Sequence, residues 1–400
     1  MDGWKPGMHF VILDSSNPPN RRRSTPMNSC DAQYSTMTEV IRAEIARSPN
    51  GTISFRDYMD LCLYHEQLGY YNRETVKVGK EGDFYTSASI GTIMGEVLGA
   101  CFANMARQYG AEEPLTIVEW GGGTGRMAGL VLDTIAERSP GLYGRLDYRM
   151  VEISPYHRKV QLQELARHPN VRHVEPDHSI DEHPRGPVIV FSNELLDAFP
   201  VHRIERKEGV LYEWHVCWND GEGKFDKVLL PLENGGLAAS YIVREGIAVR
   251  EGQVIEANPA AAEWIKRAGE RLERGTLVTI DYGDTAEELY AAHRMRGTFM
   301  CYRNHQAHDD PFAYPGEQDM TAHVDFTACI RAGEEAGFTE WSLRTQKQFL
   351  LDEGVMDMLV SHDGRDPFSP QAKRNRAVRQ LLVSDQMSEL FKVLVQTKKR

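Results

Sequence analysis

Leu115-Thr116-Ile117-Val118-Glu119-Trp120-Gly121-Gly122-Gly123-Thr124-Gly125 is the stretch from which the rest of the chain is read. Leu115, Ile117 and Val118 make a short apolar run with β-branched members, which suits a buried parallel strand. Four glycines then fall within five positions, and Met127, Leu130, Val131 and Ile135 recur at helical spacing. Strand, glycine turn and helix in that order open a doubly wound nucleotide-binding sheet. The glycines admit two patterns. A dinucleotide fingerprint, G-x-G-x-x-G, is met at Gly121 and Gly123, but it puts Arg126 where a third glycine lets helix and strand pack closely. The pattern acid-x-G-x-G-x-G is complete as Glu119, Gly121, Gly123 and Gly125.

The flanking chain supplies more strands. One is predicted over Leu146 to Ile153, ending near Glu152, where an acid accepts hydrogen bonds from both ribose hydroxyls. Further strands are predicted at Val171 to Val174, Pro187 to Phe191, Thr276 to Ile280, Phe338 to Thr345 and Phe391 to Gln396. Asp177 follows the third strand, either at the adenine edge of a nucleotide site or as an ordinary loop acid. From His202 to Ala257 the pattern alternates with period two, with turn signals at Lys207-Glu208-Gly209 and Asn219-Asp220-Gly221. Three helical stretches precede the glycine turn. In the last of them, Gly91, Gly95, Gly99 and Ala103 recur every fourth residue and permit close packing, while Glu96 reaches a ligand or pairs with Arg107.

The expected fold is α/β: a Rossmann-like sheet of seven mostly parallel strands, with an N-terminal helical cap and a β-rich insertion. The expected organisation is a disordered extension over 1–36, a helical cap over 37–110 and a nucleotide-binding half over 111–200. An acceptor insertion follows over 201–258, and the rest of the core, over 259–400, contains an active-site loop at 296–325. Acids outnumber bases 58 to 46 in the 400 residues, for a net charge of −12, so nucleic acid is not the expected partner. The six cysteines form no C-x-x-C pair, so neither a zinc site nor a disulfide framework is expected. No apolar run is long enough to cross a bilayer, and the expected location is cytoplasmic. A homodimer is compatible with all of this.

The glycine turn, SNELLDAFPVH, IDYGD, GDFYTSASIGTIMGEVLGA and above all GTFMCYRNHQAHDDPFAYPGEQDMTAHVDF resemble the MidA family of class I S-adenosylmethionine-dependent methyltransferases. The resemblance runs from about Thr38 to the end, and the last stretch is closer to bacterial members than to the mitochondrial complex I assembly member. It implies S-adenosyl-L-methionine as methyl donor, S-adenosyl-L-homocysteine as product, and no metal. It implies that Gly82, Asp83, Thr86 and Ser87 cover the methionine end. The other expected ligand contacts are Glu119, Gly121, Gly122, Gly123, Gly125, Glu152, Asp177 and Asn193.

The resemblance includes a protein arginine methyltransferase, but it does not fix the acceptor. A guanidinium is a planar fork best held by paired carboxylates, and Glu194 and Asp197 stand three apart after the fourth strand. The bland role for both is to cap a following helix. His323 or His308 is a candidate base because imidazole titrates near neutrality. His305, His308, Asp309, Asp310 and Asp325 share the loop of His323 but match no compact metal-ligand spacing. The acceptor is therefore a protein, a peptide or a small molecule. Three functions are weighed: methylation of a nitrogen, first of protein arginine; N- or O-methylation of a small molecule or peptide natural product; and an assembly factor that binds S-adenosylmethionine and acts by docking. A nicotinamide oxidoreductase is disfavoured by Arg126.

Overall fold

The computed structural model describes residues 34–74, 88–110, 112–180, 186–362, 365–383 and 387–399. Most of the extension expected at the N-terminus lies outside these residues. Seven strands form the central sheet: β1 (Leu115–Trp120), β2 (Leu146–Val151), β3 (Val171–His173), β4 (Val188–Asn193), β5 (Gly275–Asp284), β6 (Glu340–Thr345) and β7 (Phe391–Lys398). Their order is β3-β2-β1-β4-β5-β7-β6. The first five run parallel, and β7 lies antiparallel between β5 and β6. A two-residue strand, Val324–Asp325, adds to the end of β5. Chain direction across the sheet reverses between β1 and β4, so the ends of both open on one crevice. The expected α/β sheet is the one observed.

Five helices position the crevice: α1 (Met37–Arg47), α2 (Phe55–Tyr64), α3 (Ala88–Tyr109), α4 (Arg126–Arg138) and α5 (Pro155–Glu164). Thr36 and Glu39 form a capping box at α1, and Ser54 accepts from the Asp57 N–H at α2. A Cβ on Gly95 of α3 would lie 2.4 Å from the Leu130 Cβ of α4, so this glycine lets the two helices meet. Glu96 does not pair with Arg107. Arg374, from the helix Pro370–Val383, holds both of its oxygens at 2.8 and 2.7 Å, and Arg107 bonds Asn104 instead.

A second sheet flanks the first. His202–Lys207, Val210–Asn219, Lys224–Pro231 and Val254–Ala257 are joined by Ile53–Ser54, which pairs with Val216 and His215. The helix Leu237–Glu245 interrupts these strands, which the alternating pattern did not foretell. Phe55, Tyr58 and Leu63 of α2 share one apolar core with Val216, Phe225, Phe299 and Met320. Within it the buried Arg203 guanidinium lies 4.0 Å from the Trp214 ring centroid and 4.9 Å from that of Phe299. Its Nε is 3.3 Å from Glu256 Oε1, and Glu256 Oε2 accepts from the Thr298 N–H at 2.7 Å.

The stretch expected to be irregular, 296–325, carries its own three-stranded antiparallel sheet: Met300–Arg303, Gln306–His308 and Asp319–Thr321. Asn304 and His305, with φ of 50° and 62°, make its tight turn. Strands of three or four residues are too short for alternation to declare them.

Candidate functional site

The glycine turn follows β1 directly. Gly121 donates to the Val151 carbonyl at 3.0 Å and Gly125 to that of Gly122 at 2.9 Å, which folds the turn back over the sheet edge. A Cβ on Gly122 would lie 2.4 Å from Met150 Cε and 3.2 Å from the Glu119 carboxyl carbon, so backbone and side chains close up beneath the turn. Gly123 differs. Its φ is +52°, and a Cβ there would meet nothing within 4 Å.

Two acids lie under and beside this turn. Glu119 is buried beneath it and accepts from Tyr148 Oη at 2.6 Å. Burial pushes its carboxyl up to about 7, with the Glu152 charge adding and the Tyr148 bond opposing. Glu152, also buried, accepts from the Ser154 N–H at 2.9 Å and from Gln161 Nε2 at 3.3 Å. Burial outweighs these donors and pushes Glu152 up to about 7 as well. The same Gln161 amide donates to the Gly123 carbonyl at 2.7 Å, which ties the acid to the turn.

Across the crevice a second group of carboxylates gathers. Glu194 follows β4 with φ +52°, a left-handed conformation that L side chains avoid. Solvent reaches it, yet the crowding of protein raises its carboxyl; the Asn193 amide, donating at 3.2 Å, works the other way. Asp197 is buried and no helix follows it, so it caps none. Its carboxyl is raised well above the usual range by burial, then by the charges of Asp281, Glu194 and Asp319. Asp281, on β5, accepts from the N–H groups of Leu195 and Leu196 at 3.1 and 2.8 Å, and burial pushes it up to about 7. Those bonds hold the Glu194–Asp197 turn against the sheet.

The loop at 296–325 completes this side. Ala322 donates to the Asp197 carbonyl at 2.9 Å, and the buried Asp319 carboxylate accepts from Tyr71 Oη at 2.7 Å and from the Met320 N–H at 2.9 Å. Tyr64 donates to the Ala198 carbonyl at 2.9 Å and stacks on Tyr71, the ring centroids 5.5 Å apart. Tyr282 and Tyr302 feel the same acids: burial, then Glu194 and Asp197 for the first and Asp197 and Asp319 for the second, raise their phenols.

The expected residues therefore fall in several places. Glu119, Gly121, Gly122, Gly123, Gly125 and Glu152 meet at the turn, while Asn193, Glu194 and Asp197 meet opposite. Asp177 is exposed after β3, bonded to Arg271 at 3.2 Å. His323 stacks near Tyr282, and burial lowers its ring to about 4, so it is neutral at pH 7 and titrates well below the expected range. Asp325 caps the helix Phe326–Glu335 instead of facing the crevice. Gly82, Asp83, Thr86 and Ser87 lie outside the described residues. Asp281, Asp319, Tyr64 and Tyr71 were not singled out as site residues. Among the described residues no group of three or more His, Cys, Asp and Glu is placed to hold a metal ion, and no helix is long and apolar enough to cross a membrane.

Comparison with known proteins bears on this geometry. Residues 97–342 match the family described as "Putative S-adenosyl-L-methionine-dependent methyltransferase". A COG1565 superfamily member from Burkholderia thailandensis, solved with S-adenosyl-homocysteine bound, is 30% identical. It superposes with a TM-score of 0.78 over 90% of this chain and 92% of its own. Among curated proteins, the mitochondrial protein arginine methyltransferase NDUFAF7 of Danio rerio is 28% identical, over 85% of this chain and 82% of its own. The Drosophila melanogaster homolog, also mitochondrial, is 27% identical, over 86% and 81%. The expectation of a cytoplasmic protein is thereby overturned, since the curated relatives are mitochondrial.

Proposed function

We propose, since the chain belongs to this family of S-adenosyl-L-methionine-dependent methyltransferases, that its acceptor is a nitrogen of a protein arginine side chain. One observation carries the reading: the strongest charges acting on the buried Asp197 are three further carboxylates, Asp281, Glu194 and Asp319. Such a cluster is relieved by a cation, and a planar guanidinium offers several carboxylates a donor each. The names of the curated relatives support the same acceptor.

The donor fits the opposite wall. Gly123 leaves open space beside the turn, and Glu152 is a buried carboxylate whose raised affinity for protons marks unmet demand for donors, which a ribose diol supplies. S-adenosyl-L-methionine held there supplies an electrophilic methyl on a sulfonium, which departs as a neutral thioether. The chain's own residues handle the acceptor. Glu194 and Asp197 orient the guanidinium and take up the proton that its nitrogen loses as the new N–C bond forms; their raised pKa values strengthen them as bases. Asp281 works through the backbone, fixing the turn that carries both.

The test uses isotope-labelled S-adenosylmethionine with arginine-bearing peptides. Label on arginine is expected, and Glu194→Gln should lower the rate about a hundredfold, leaving S-adenosylhomocysteine affinity within about twofold. Label confined to small metabolites, or a Glu194→Gln variant with full activity in cells, overturns the reading.

A further inference from the structure

Tyr71 belongs to neither wall of the crevice and is bonded to both. Its segment is anchored to the end of α2: Tyr70 and Tyr71 donate to the Cys62 and Leu63 carbonyls at 2.8 and 3.0 Å. Its carbonyl accepts from Ser154 Oγ at 2.8 Å, and the N–H of Ser154 is held by the Glu152 carboxylate. Its hydroxyl donates to Asp319 at 2.7 Å, three residues before Ala322, which donates to the Asp197 carbonyl. Its ring stacks on Tyr64, whose hydroxyl holds the Ala198 carbonyl. Glu152, Ser154, Tyr71 and Asp319 thus form one line of hydrogen bonds from the ribose side to the acceptor side.

Asp319 arrives on a three-residue strand of the small sheet, far in sequence from Glu194 and Asp197. Within that strand the Met320 N–H holds its carboxylate, which also takes a support rooted elsewhere. Tyr71 is such a support, because a stacked ring on a backbone bonded at both its N–H and its carbonyl has little freedom left. We infer that Tyr71 is a positioning residue, which sets the Asp319 carboxylate against Asp197 and so fixes where the acceptor guanidinium docks. The inference rests on the arginine reading above and extends it, making Asp319 a third carboxylate of the acceptor site.

The experiment compares full-length wild type, Tyr71→Phe, Asp319→Asn and the double variant. For each, peptide KM, kcat, S-adenosylhomocysteine Kd and the thermal melt are measured. Phenylalanine keeps the stacked ring and the backbone bonds and loses only the hydroxyl. Tyr71→Phe should raise the peptide KM about tenfold, the effect of one charge-assisted hydrogen bond, with the Kd of S-adenosylhomocysteine within twofold. Because Tyr71 acts through Asp319, adding Tyr71→Phe to Asp319→Asn should change KM less than twofold further. A merely structural role would lower the melt and weaken both ligands together, and would add in the double variant; that result, or an unchanged KM, overturns the inference while leaving the arginine reading intact. If wild type labels no arginine peptide, the arginine reading fails first and this inference falls with it.

Discussion

The two walls of the crevice are built on opposite plans. On the β1–β2 side, Glu119, the glycine turn, Tyr148, Glu152 and Gln161 come from one run of chain, and each buried acid has a donor from within that run. On the β4–β5 side, Glu194 and Asp197, Asp281, and Asp319 come from three separate segments, and the charges pressing hardest on Asp197 are other acids. The first wall is a shape that backbone makes almost unaided. The second is repulsion assembled from distant parts, which a bound cation relieves. A local wall should therefore answer substitution by changing donor affinity and stability, and an assembled wall by changing acceptor use.

The largest effect expected on the local wall is at Glu119. Its pKa is about 7 in the folded protein, against about 4.3 unfolded. Between these values the folded protein holds a proton that the unfolded chain has lost, so this acid lowers stability as pH rises through the window, and its cost is complete above pH 7. Glu119→Gln keeps an acceptor for Tyr148 and removes the charge. Its stability relative to wild type should climb by up to about 3 kcal/mol between pH 5 and pH 8 in urea unfolding. A pH-independent difference would show that Glu119 is not neutral when folded, and would break the contrast between the walls.

Glu152 comes next. The donor's diol favours the ionised carboxylate, so S-adenosylhomocysteine affinity should fall as pH drops below about 7. Glu152→Gln should flatten that profile and weaken binding about thirtyfold, roughly 2 kcal/mol. Calorimetry across pH 5.5 to 8.5 reads both. A changed peptide KM with an unchanged profile would mean that the local wall is not local. The smallest effect is at Gly123, where alanine meets no neighbour but must adopt φ +52°; about 1 kcal/mol of stability should be lost. S-adenosylhomocysteine affinity should fall with it, since the added methyl takes space kept for the ligand.

The same contrast explains what could be read in the chain beforehand. Glu119, the glycines and Glu152 stand at spacings set by one strand–turn–helix–strand unit, so the sheet and its local wall were legible. Asp281 and Asp319 carry no such spacing. β5 runs on to Asp284, four residues past the predicted end of the strand at Ile280, and so takes in the buried Asp281. Asp319 sits on a strand of three residues, and Tyr71 in the turns after α2, where only tertiary contacts give them meaning. His323 was chosen for the usual behaviour of imidazole, and burial, with the Arg294 and Lys392 charges adding to it, moved the ring out of that range.

Ile53 and Ser54 finish the edge of a sheet whose other strands begin at His202. Thr52 and its partner His215 are 163 residues apart. At ribosomal speed, roughly ten to thirty seconds pass before the second segment follows the first. During that wait Phe55 and Tyr58 lack the rings they pack on in the finished fold, Trp214, Phe225, Phe299 and Phe312. Cutting the gene between α2 and the insertion should therefore leave both pieces with an uncovered apolar face, and each is expected in the insoluble fraction when expressed alone.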